Sequence, residues 1–214
     1  MEELFRSLDT IRERARYCGD WLTGVNPKYP NCFDMIYNAA TLTLELLDHY
    51  FDIWKRTVPR SILAEELKKD NVERVFEITK WAFISALSIV EYTSKEILKM
   101  VNDNSFECLR ARIQSGKRVY LSHIIERSKE IEVTDEEQYK RWRALIHVRN
   151  AVVHNNAIAD IDVEYKIDNF EITFVKGEFL RGKLDFFIRL LQITVDQQYE
   201  WLRALLRPSK IENT

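Results

Sequence analysis

The sequence predicts an all-α protein, a helical bundle, on three observations. Glycine and proline are scarce, with 5 Gly and 4 Pro in 214 residues, and four of these nine lie between residues 19 and 30, so long helices are possible elsewhere. Apolar residues recur every three or four positions through most of the chain, as in helices that pack one face against a core. Polar and apolar residues alternate in IDVEYKI and FEITFV, which predicts one small β-hairpin at about residues 162–175.

Length and charge limit the organisation and the class of protein. A chain of this length suffices for one globular domain with a sizeable core, and we expect residues 1–60 to form an N-terminal helical extension packed on a bundle at 61–214. The formal net charge is −2, so the chain does not have the overall basic character of many nucleic-acid-binding domains. Any site for a polyanion must therefore be local.

Cysteine usage and hydropathy indicate a cytoplasmic protein. The three cysteines, Cys18, Cys32 and Cys108, are odd in number and lack metal-ligand spacing, which favours free thiols in a reducing compartment. The sequence contains neither a signal-peptide pattern nor a run of about 18 apolar residues, so we expect no membrane association. His147 and His154 lie about 10 Å apart on a helix, too far to share one metal unaided, and we predict neither a metal nor another cofactor.

The N-terminal half predicts four helices. Apolar spacing indicates a helix over residues 1–17, followed by a turn-rich loop in GDWLTGVNPKYPN. A second helix is predicted from Asp34 to about Arg56, since Pro59 would interrupt it. Ser61 is a suitable cap for a short helix through Leu67, and Asp70 or Asn71 for a longer one through about Val101.

The C-terminal half predicts the remaining elements. NDNS at residues 102–105 indicates a break, and the next helical segment is interrupted or restarted at Gly116. Thr134 and Glu137 form a capping-box pattern, which predicts a helix from there to Asn155 or Asn156. After the hairpin, a final helix is predicted over residues 184–206.

Within the helix that begins after Thr134, one charged residue lies in an apolar face. Tyr139, Trp142, Leu145, Ile146, Val152 and Val153 share one side at helical spacing, and Arg149 falls in the middle of that side. A guanidinium is costly to bury unpaired, so Arg149 requires an acidic partner or a phosphate. Glu91, on the edge of the apolar face of the preceding long helix, is the candidate partner, although it is equally well placed to pair with Lys95.

A polar row runs beside that face. Arg143, His147, Asn150 and His154 follow one another at spacings of four, three and four, which places them along one flank of the helix. One helix therefore presents cationic, amide and imidazole side chains together. A simpler interpretation is that Asn150 and His154 form a hydrogen-bonded pair at the helix end, where a histidine complements the dipole.

The segment Arg149-Asn150-Ala151-Val152-Val153-His154 resembles the motif of the HEPN superfamily, in which an arginine, a polar residue, three further residues and a histidine lie late in a helix of a bundle. The resemblance covers about residues 70–206. It implies an HEPN-like bundle in which residues 1–60 and the hairpin are additions. It also implies a metal-independent endoribonuclease of toxin or antiviral-defence type, acting as a homodimer whose two motifs share one cleft.

The resemblance implies a role for each motif residue. Arg149 would hold the phosphate, His154 would act as general acid or base, and Asn150 would orient His154 or the scissile group. Glu91, His147 and Arg143 would support them. The products implied are a 2′,3′-cyclic phosphate and a 5′-hydroxyl. The alternative is a non-catalytic RNA-binding or protein-interaction module that keeps the fold and uses the motif as a brace between helices.

Candidate partners also follow. The cations Arg110, Arg112, Lys117 and Arg118 cluster at the predicted bend, where they would either contact RNA phosphates or simply be solvated. RNA and a second copy of the chain are the predicted partners. An antitoxin or another defence-system protein is a further partner consistent with the resemblance.

Overall fold

The structure, a computed structural model, describes the backbone of residues 2–57, 64–155, 157–167, 170–180 and 182–207, and the side chains of the same residues apart from 53–57 and 64–71. Over this part of the chain it contains seven α-helices, one 3-10 helix and one antiparallel pair of strands. The prediction of a mostly helical fold, with a hairpin before the C-terminal helix, is confirmed.

The α-helices are α1 (Glu2–Val25), α2 (Cys32–Thr57), α3 (Ala64–Met100), α4 (Glu107–Gln114), α5 (Leu121–Glu130), α6 (Glu136–His154) and α7 (Phe186–Leu205). The 3-10 helix (Asn104–Phe106) precedes α4, and the strands β1 (Val163–Ile167) and β2 (Phe170–Phe174) lie between α6 and α7. In the described residues, no helix is both long enough and apolar enough to span a membrane.

Two compact units make up the chain. The first comprises Met1–Pro27, Asn31–Ile89 and Arg181–Val195, and the second comprises Lys28–Pro30, Val90–Leu180 and Asp196–Thr214. The motif, the hairpin and the basic bend (residues 110–118) all belong to the second unit. The predicted boundary near residue 60 falls at residues 58–63, outside the described residues.

The first unit is built on the pairing of α1 with α2. Asn31 connects them, because its side-chain amide donates to the Gly19 carbonyl at 3.1 Å and its side-chain oxygen accepts from the Phe33 backbone N–H at 3.1 Å. Such an asparagine satisfies an otherwise unpaired donor at a helix start. The fully buried side chains of the two helices include Leu8, Ile11, Ala15, Cys18, Leu22, Cys32, Phe33, Ile36, Ala40 and Leu47.

The loop after α1 is shorter than predicted. The sequence predicts a loop from Gly19, but α1 continues to Val25. Gly19 is buried, and a Cβ at this position would come within 2.8 Å of Asp34 Oδ1 in α2. The glycine therefore leaves room for the side chains of Asn31 and Asp34, and it does not end the helix.

The prediction of two helices between residues 61 and 101 is wrong, because one helix, α3, runs from Ala64 to Met100. Ser61, the predicted cap of the first, lies outside the described residues. Asp70 and Asn71 are good caps, but each costs only about 0.5 kcal/mol inside a helix. The strong helix formers Glu65, Glu66 and Leu67 before them favour continuation.

The second unit has a core formed by α5, α6, the last turns of α3 and the C-terminal half of α7. Trp201 of α7 donates its indole N–H to Ser128 Oγ of α5 at 2.9 Å. Gln198 of α7 donates to Ser94 Oγ of α3 at 3.3 Å, so buried polar groups help to align these helices. The buried apolar side chains include Val90, Ile97, Leu98, Ile124, Ile125, Trp142, Leu145, Val148, Trp201 and Leu202.

The start of α6 differs from the prediction by one residue. Asp135, not Thr134, is the cap: its carboxylate accepts from the Gln138 backbone N–H at 2.8 Å, and the Gln138 side chain accepts from the Asp135 N–H at 3.2 Å. A carboxylate complements the positive helix N-terminus better than a hydroxyl does. Thr134 is buried instead, with 1% of its surface exposed.

The bend and the hairpin have the predicted positions. Gly116, at φ +72°, lies between the end of α4 at Gln114 and the start of α5 at Leu121. Strands β1 and β2 pair in antiparallel register, with Tyr165 opposite Ile172, and β1 lies against α6. The final helix begins at Phe186, two residues later than predicted.

Candidate functional site

Arg149 is only partly buried. Its side chain is 26% exposed, and Nη1 lies 3.8 Å from Glu91 Oε2. The two groups therefore form an ion pair, but the distance is too long for a hydrogen bond. Its Nε is buried and makes no hydrogen bond within the described residues. The predicted apolar face is also shorter than expected, since Val153 on the last turn is 43% exposed.

Glu91 is shared between two cations. Its Oε1 lies 2.6 Å from Lys95 Nζ, and its Oε2 lies 3.8 Å from Arg149 Nη1, so both partners predicted for this acid are present. The side chains of Glu91 and Lys95 are only 16% and 24% exposed. Because Coulomb attraction falls with distance, Glu91 interacts more strongly with Lys95 than with Arg149.

Asn150 and His154 lie on one side of α6, one turn apart. His154 is exposed on the last turn of the helix, and Asn150 is half-buried. No hydrogen bond joins the two in the described structure, so the predicted pair at the helix end is not formed. The imidazole of His154 is open to solvent, as a group that exchanges protons with a substrate must be.

The other end of the polar row is covered by the hairpin. His147 Nδ1 lies 2.6 Å from the Tyr165 hydroxyl of β1, and His147 Nε2 lies 3.3 Å from Arg143 Nη2. The Phe174 ring packs edge-on against the imidazole, at 6.2 Å between centroids. His147 is therefore half-buried under the hairpin, whereas His154 at the other end of the row is exposed.

These contacts define the protonation state of His147. Arginine only donates, so Nε2 must accept from Arg143, and Nδ1 then carries the proton that it donates to the Tyr165 oxygen. Burial, with the neighbouring Arg143 charge, lowers the pKa of His147. Burial likewise raises the pKa of Tyr165. Both groups are therefore neutral at physiological pH.

The four cations at the bend divide into two pairs. Arg110 donates to the Asp103 carbonyl, and Arg112 donates to the Arg118 carbonyl at 3.2 Å, so both brace the backbone. Lys117 and Arg118 are exposed, and neither forms an ion pair within the described chain. The predicted cluster therefore contributes two cations that remain available to a ligand.

A metal site does not emerge from the side chains described. No group of three or more His, Cys, Asp or Glu residues is arranged to hold an ion there. None of the three cysteines forms a disulfide; Cys18 and Cys32 are buried and Cys108 is exposed.

Two residues near the predicted site were not singled out from the sequence. Tyr165 is marked by the alternation of β1, because it faces the same side as the buried Ile167 but carries a polar tip. Lys95 was considered only as a competitor for Glu91. Lys95 also lines a groove beside the basic bend. Because this groove is formed by segments distant in sequence, local spacing does not reveal it.

Comparisons of the chain with protein-family models, with curated proteins and with solved structures found no match.

Proposed function

We propose that the protein is a metal-independent endoribonuclease of the HEPN type, with Arg149, Asn150 and His154 as its catalytic residues. The proposal includes a homodimer with one shared cleft and a role as a toxin or antiviral-defence effector. That biological role, and an antitoxin or defence-system protein as a further partner, depend on the motif resemblance alone.

The state of Arg149 is the observation that carries the proposal. Glu91 makes its shorter contact with Lys95, and the buried Nε of Arg149 makes no hydrogen bond in the described chain. An unsatisfied buried donor is costly, and a ligand oxygen that accepted from this Nε would remove the cost. A phosphate suits it, since the guanidinium fork pairs bidentately with phosphate oxygens.

His154 and Asn150 supply the other functions that the reaction requires. An imidazole can serve as a general acid or base, so the exposed His154 can take or give a proton. Asn150 lies one turn earlier on the same side and would orient the scissile group or the imidazole. His147 cannot act as the acid or base, because Tyr165 and Arg143 occupy both its nitrogens.

The reaction is an internal transfer at phosphorus. The 2′-oxygen loses its proton to a base and forms a bond to phosphorus, and the bond from phosphorus to the 5′-oxygen breaks as an acid protonates the leaving oxygen. The products are a 2′,3′-cyclic phosphate and a 5′-hydroxyl. Arg149 stabilises the negative charge that builds on the phosphate. His154 of one chain would serve as base and that of the second chain as acid.

Incubation of the full chain with single-stranded RNA in EDTA tests the proposal. The wild type should cleave and leave cyclic phosphate ends, whereas His154→Ala and Arg149→Ala should lose about 100-fold or more in rate. His49→Ala and Arg16→Ala are matched controls, because both side chains are exposed on helices of the first unit. Equal inactivity of wild type and His154→Ala on RNAs of varied sequence would refute the proposal.

A non-catalytic RNA-binding or interaction module is the second candidate. The contact between Glu91 and Arg149 favours it, because such a pair can brace α3 against α6. In that case Arg149→Ala should reduce stability by several kcal/mol and leave an RNA that is bound but never cut. Measuring stability and cleavage on the same variant separates the two candidates.

A further inference from the structure

A groove lies beside the basic bend, within the second unit. Its volume is about 440 Å³, which is in the range of small-ligand sites. Lys95, Lys117 and Arg118 supply positive charge, Ile113 and Val119 supply apolar surface, and Tyr120 supplies an aromatic ring. None of the residues that line it is acidic.

The groove wall is held in place by backbone contacts. Gly116 has φ +72°, which other residues rarely adopt, and its N–H donates to the Ile113 carbonyl at 3.1 Å. The Lys117 N–H donates to the Arg112 carbonyl at 3.0 Å, and the Arg112 side chain donates to the Arg118 carbonyl at 3.2 Å. The side chains of Lys117 and Arg118 therefore project from a fixed turn and are not committed to holding it.

Tyr120 offers a flat surface next to these charges. Its side chain is 46% exposed, although a ring of this size gains considerably from burial. The His123 ring lies 5.4 Å away and supports it from one side. An exposed aromatic ring beside unpaired cations is the combination by which proteins bind single-stranded nucleic acids, because bases stack on the ring and cations contact the phosphates.

One carboxylate connects the groove to Arg149. Lys95 lines the groove and contacts Glu91 at 2.6 Å, and Glu91 contacts Arg149 at 3.8 Å. A ligand in the groove would therefore contact a lysine whose acidic partner also pairs with the arginine proposed to hold the scissile phosphate. We propose that the groove binds one unpaired nucleotide of an RNA strand, with its base stacked on Tyr120 and its phosphates at Lys117 and Arg118.

The claim that the bound RNA strand continues to the motif rests on the proposed function. The claim that the groove binds single-stranded RNA does not. The test is therefore made on the full chain carrying His154→Ala, which removes cleavage from the measurement. The probe is a labelled short oligouridine, followed by fluorescence anisotropy, with an RNA duplex of the same length for comparison.

Loss of Tyr120 should weaken binding to the single strand. Tyr120→Ala should reduce affinity about 5-fold or more, and Tyr120→Phe should retain it, because the ring and not the hydroxyl stacks. Tyr92→Ala is the matched control, since Tyr92 is 57% exposed on α3 and does not line the groove. Each of Lys117→Ala and Arg118→Ala should also reduce the dependence of log affinity on log salt by about 0.7.

Several outcomes would overturn the groove proposal. It fails if the oligouridine does not bind, if the duplex binds equally well, or if Tyr120→Ala and Tyr92→Ala have the same affinity. Binding that depends on Tyr120, with no cleavage by the chain with His154 intact, would support the groove and refute the nuclease. Cleavage with a KM that Tyr120→Ala leaves unchanged would support the nuclease and refute the groove.

Discussion

The Tyr165 hydroxyl lies 2.6 Å from Nδ1 of His147, so the hairpin is tied to the helix that carries the motif. The Arg143 guanidinium occupies the other ring nitrogen at 3.3 Å. A second proton on His147 would place an N–H against that guanidinium and add a positive charge beside it. The hairpin and α6 are therefore held together most firmly while the imidazole is neutral.

Acid should weaken the fold through His147. Burial and Arg143 lower its pKa in the folded chain. Between that pKa and the unfolded value near 6.5, the unfolded state binds more protons, so the unfolding free energy falls as pH falls through this range. Urea denaturation at pH 7.5 and at pH 5 should show this loss in the wild type and a smaller loss in His147→Gln.

His49→Gln is the control for the acid effect. His49 is exposed on α2, and its replacement should leave the pH dependence of the wild type unchanged. The role assigned to His147 is wrong if His147→Gln and His49→Gln lose the same stability over this pH range.

Removing the Tyr165 hydroxyl should loosen the hairpin. Tyr165→Phe retains the ring but leaves the N–H of His147 without its acceptor, and we expect a loss of about 1 kcal/mol in unfolding free energy. Amide exchange in β1 and β2 should increase. Tyr92→Phe, at an exposed position of α3, is a matched substitution, and an equal effect there would contradict the assigned contact.

Arg149 and Glu91 should differ in what they contribute to stability. After Arg149→Ala, Lys95 still neutralises Glu91, so the loss should be below about 1 kcal/mol. Glu91→Ala leaves two partly buried cations without their acid, and it should cost at least about 1 kcal/mol more than Arg149→Ala. Urea denaturation of the two variants measures the difference. A loss of several kcal/mol in Arg149→Ala would favour the bracing role over the catalytic one.

Ser128 should be important for the core of the second unit. Its hydroxyl accepts from the Trp201 indole at 2.9 Å and donates to the Ile124 carbonyl at 2.8 Å, and both side chains are almost fully buried. Ser128→Ala leaves the indole N–H unsatisfied, at an expected loss of about 1–3 kcal/mol by thermal or urea denaturation. Ser122→Ala, on an adjacent part of α5 that is more exposed, should change stability much less. Equal losses would show that the indole finds another acceptor.

Periodicity predicted which segments are helical but not where all of them end. The helical faces of α2, α6 and α7 repeat over many turns, and their bounds fall within two residues of those predicted. Gly19 and Asp70 carry local signals for a break, and tertiary packing and strong neighbouring helix formers outweigh them. Such competition is decided by contacts between distant segments, which spacing along the chain does not encode.

The candidate site was predicted unevenly for the same reason. Neighbours on one helix, such as Asn150 and His154, follow from a repeat of 3.6 residues, and the pairing of Glu91 with Arg149 follows from placing a charge in an apolar face. The cover that Tyr165 provides over His147 depends on where the hairpin lies against α6. That packing is not contained in either segment alone.

The proposed shared cleft makes a quantitative prediction for mixtures of chains. If His154 of one chain is the base and His154 of the second is the acid, only dimers with two intact histidines cleave. When wild type is mixed with His154→Ala at constant total concentration and allowed to exchange, the rate should follow the square of the wild-type fraction. Cleavage of RNA in EDTA gives the rate, and light scattering confirms a dimer at micromolar concentration. In mixtures of wild type with His49→Ala, the cleavage rate should be the same at every ratio. If the rate of the His154→Ala mixtures is instead proportional to the wild-type fraction, each chain acts alone.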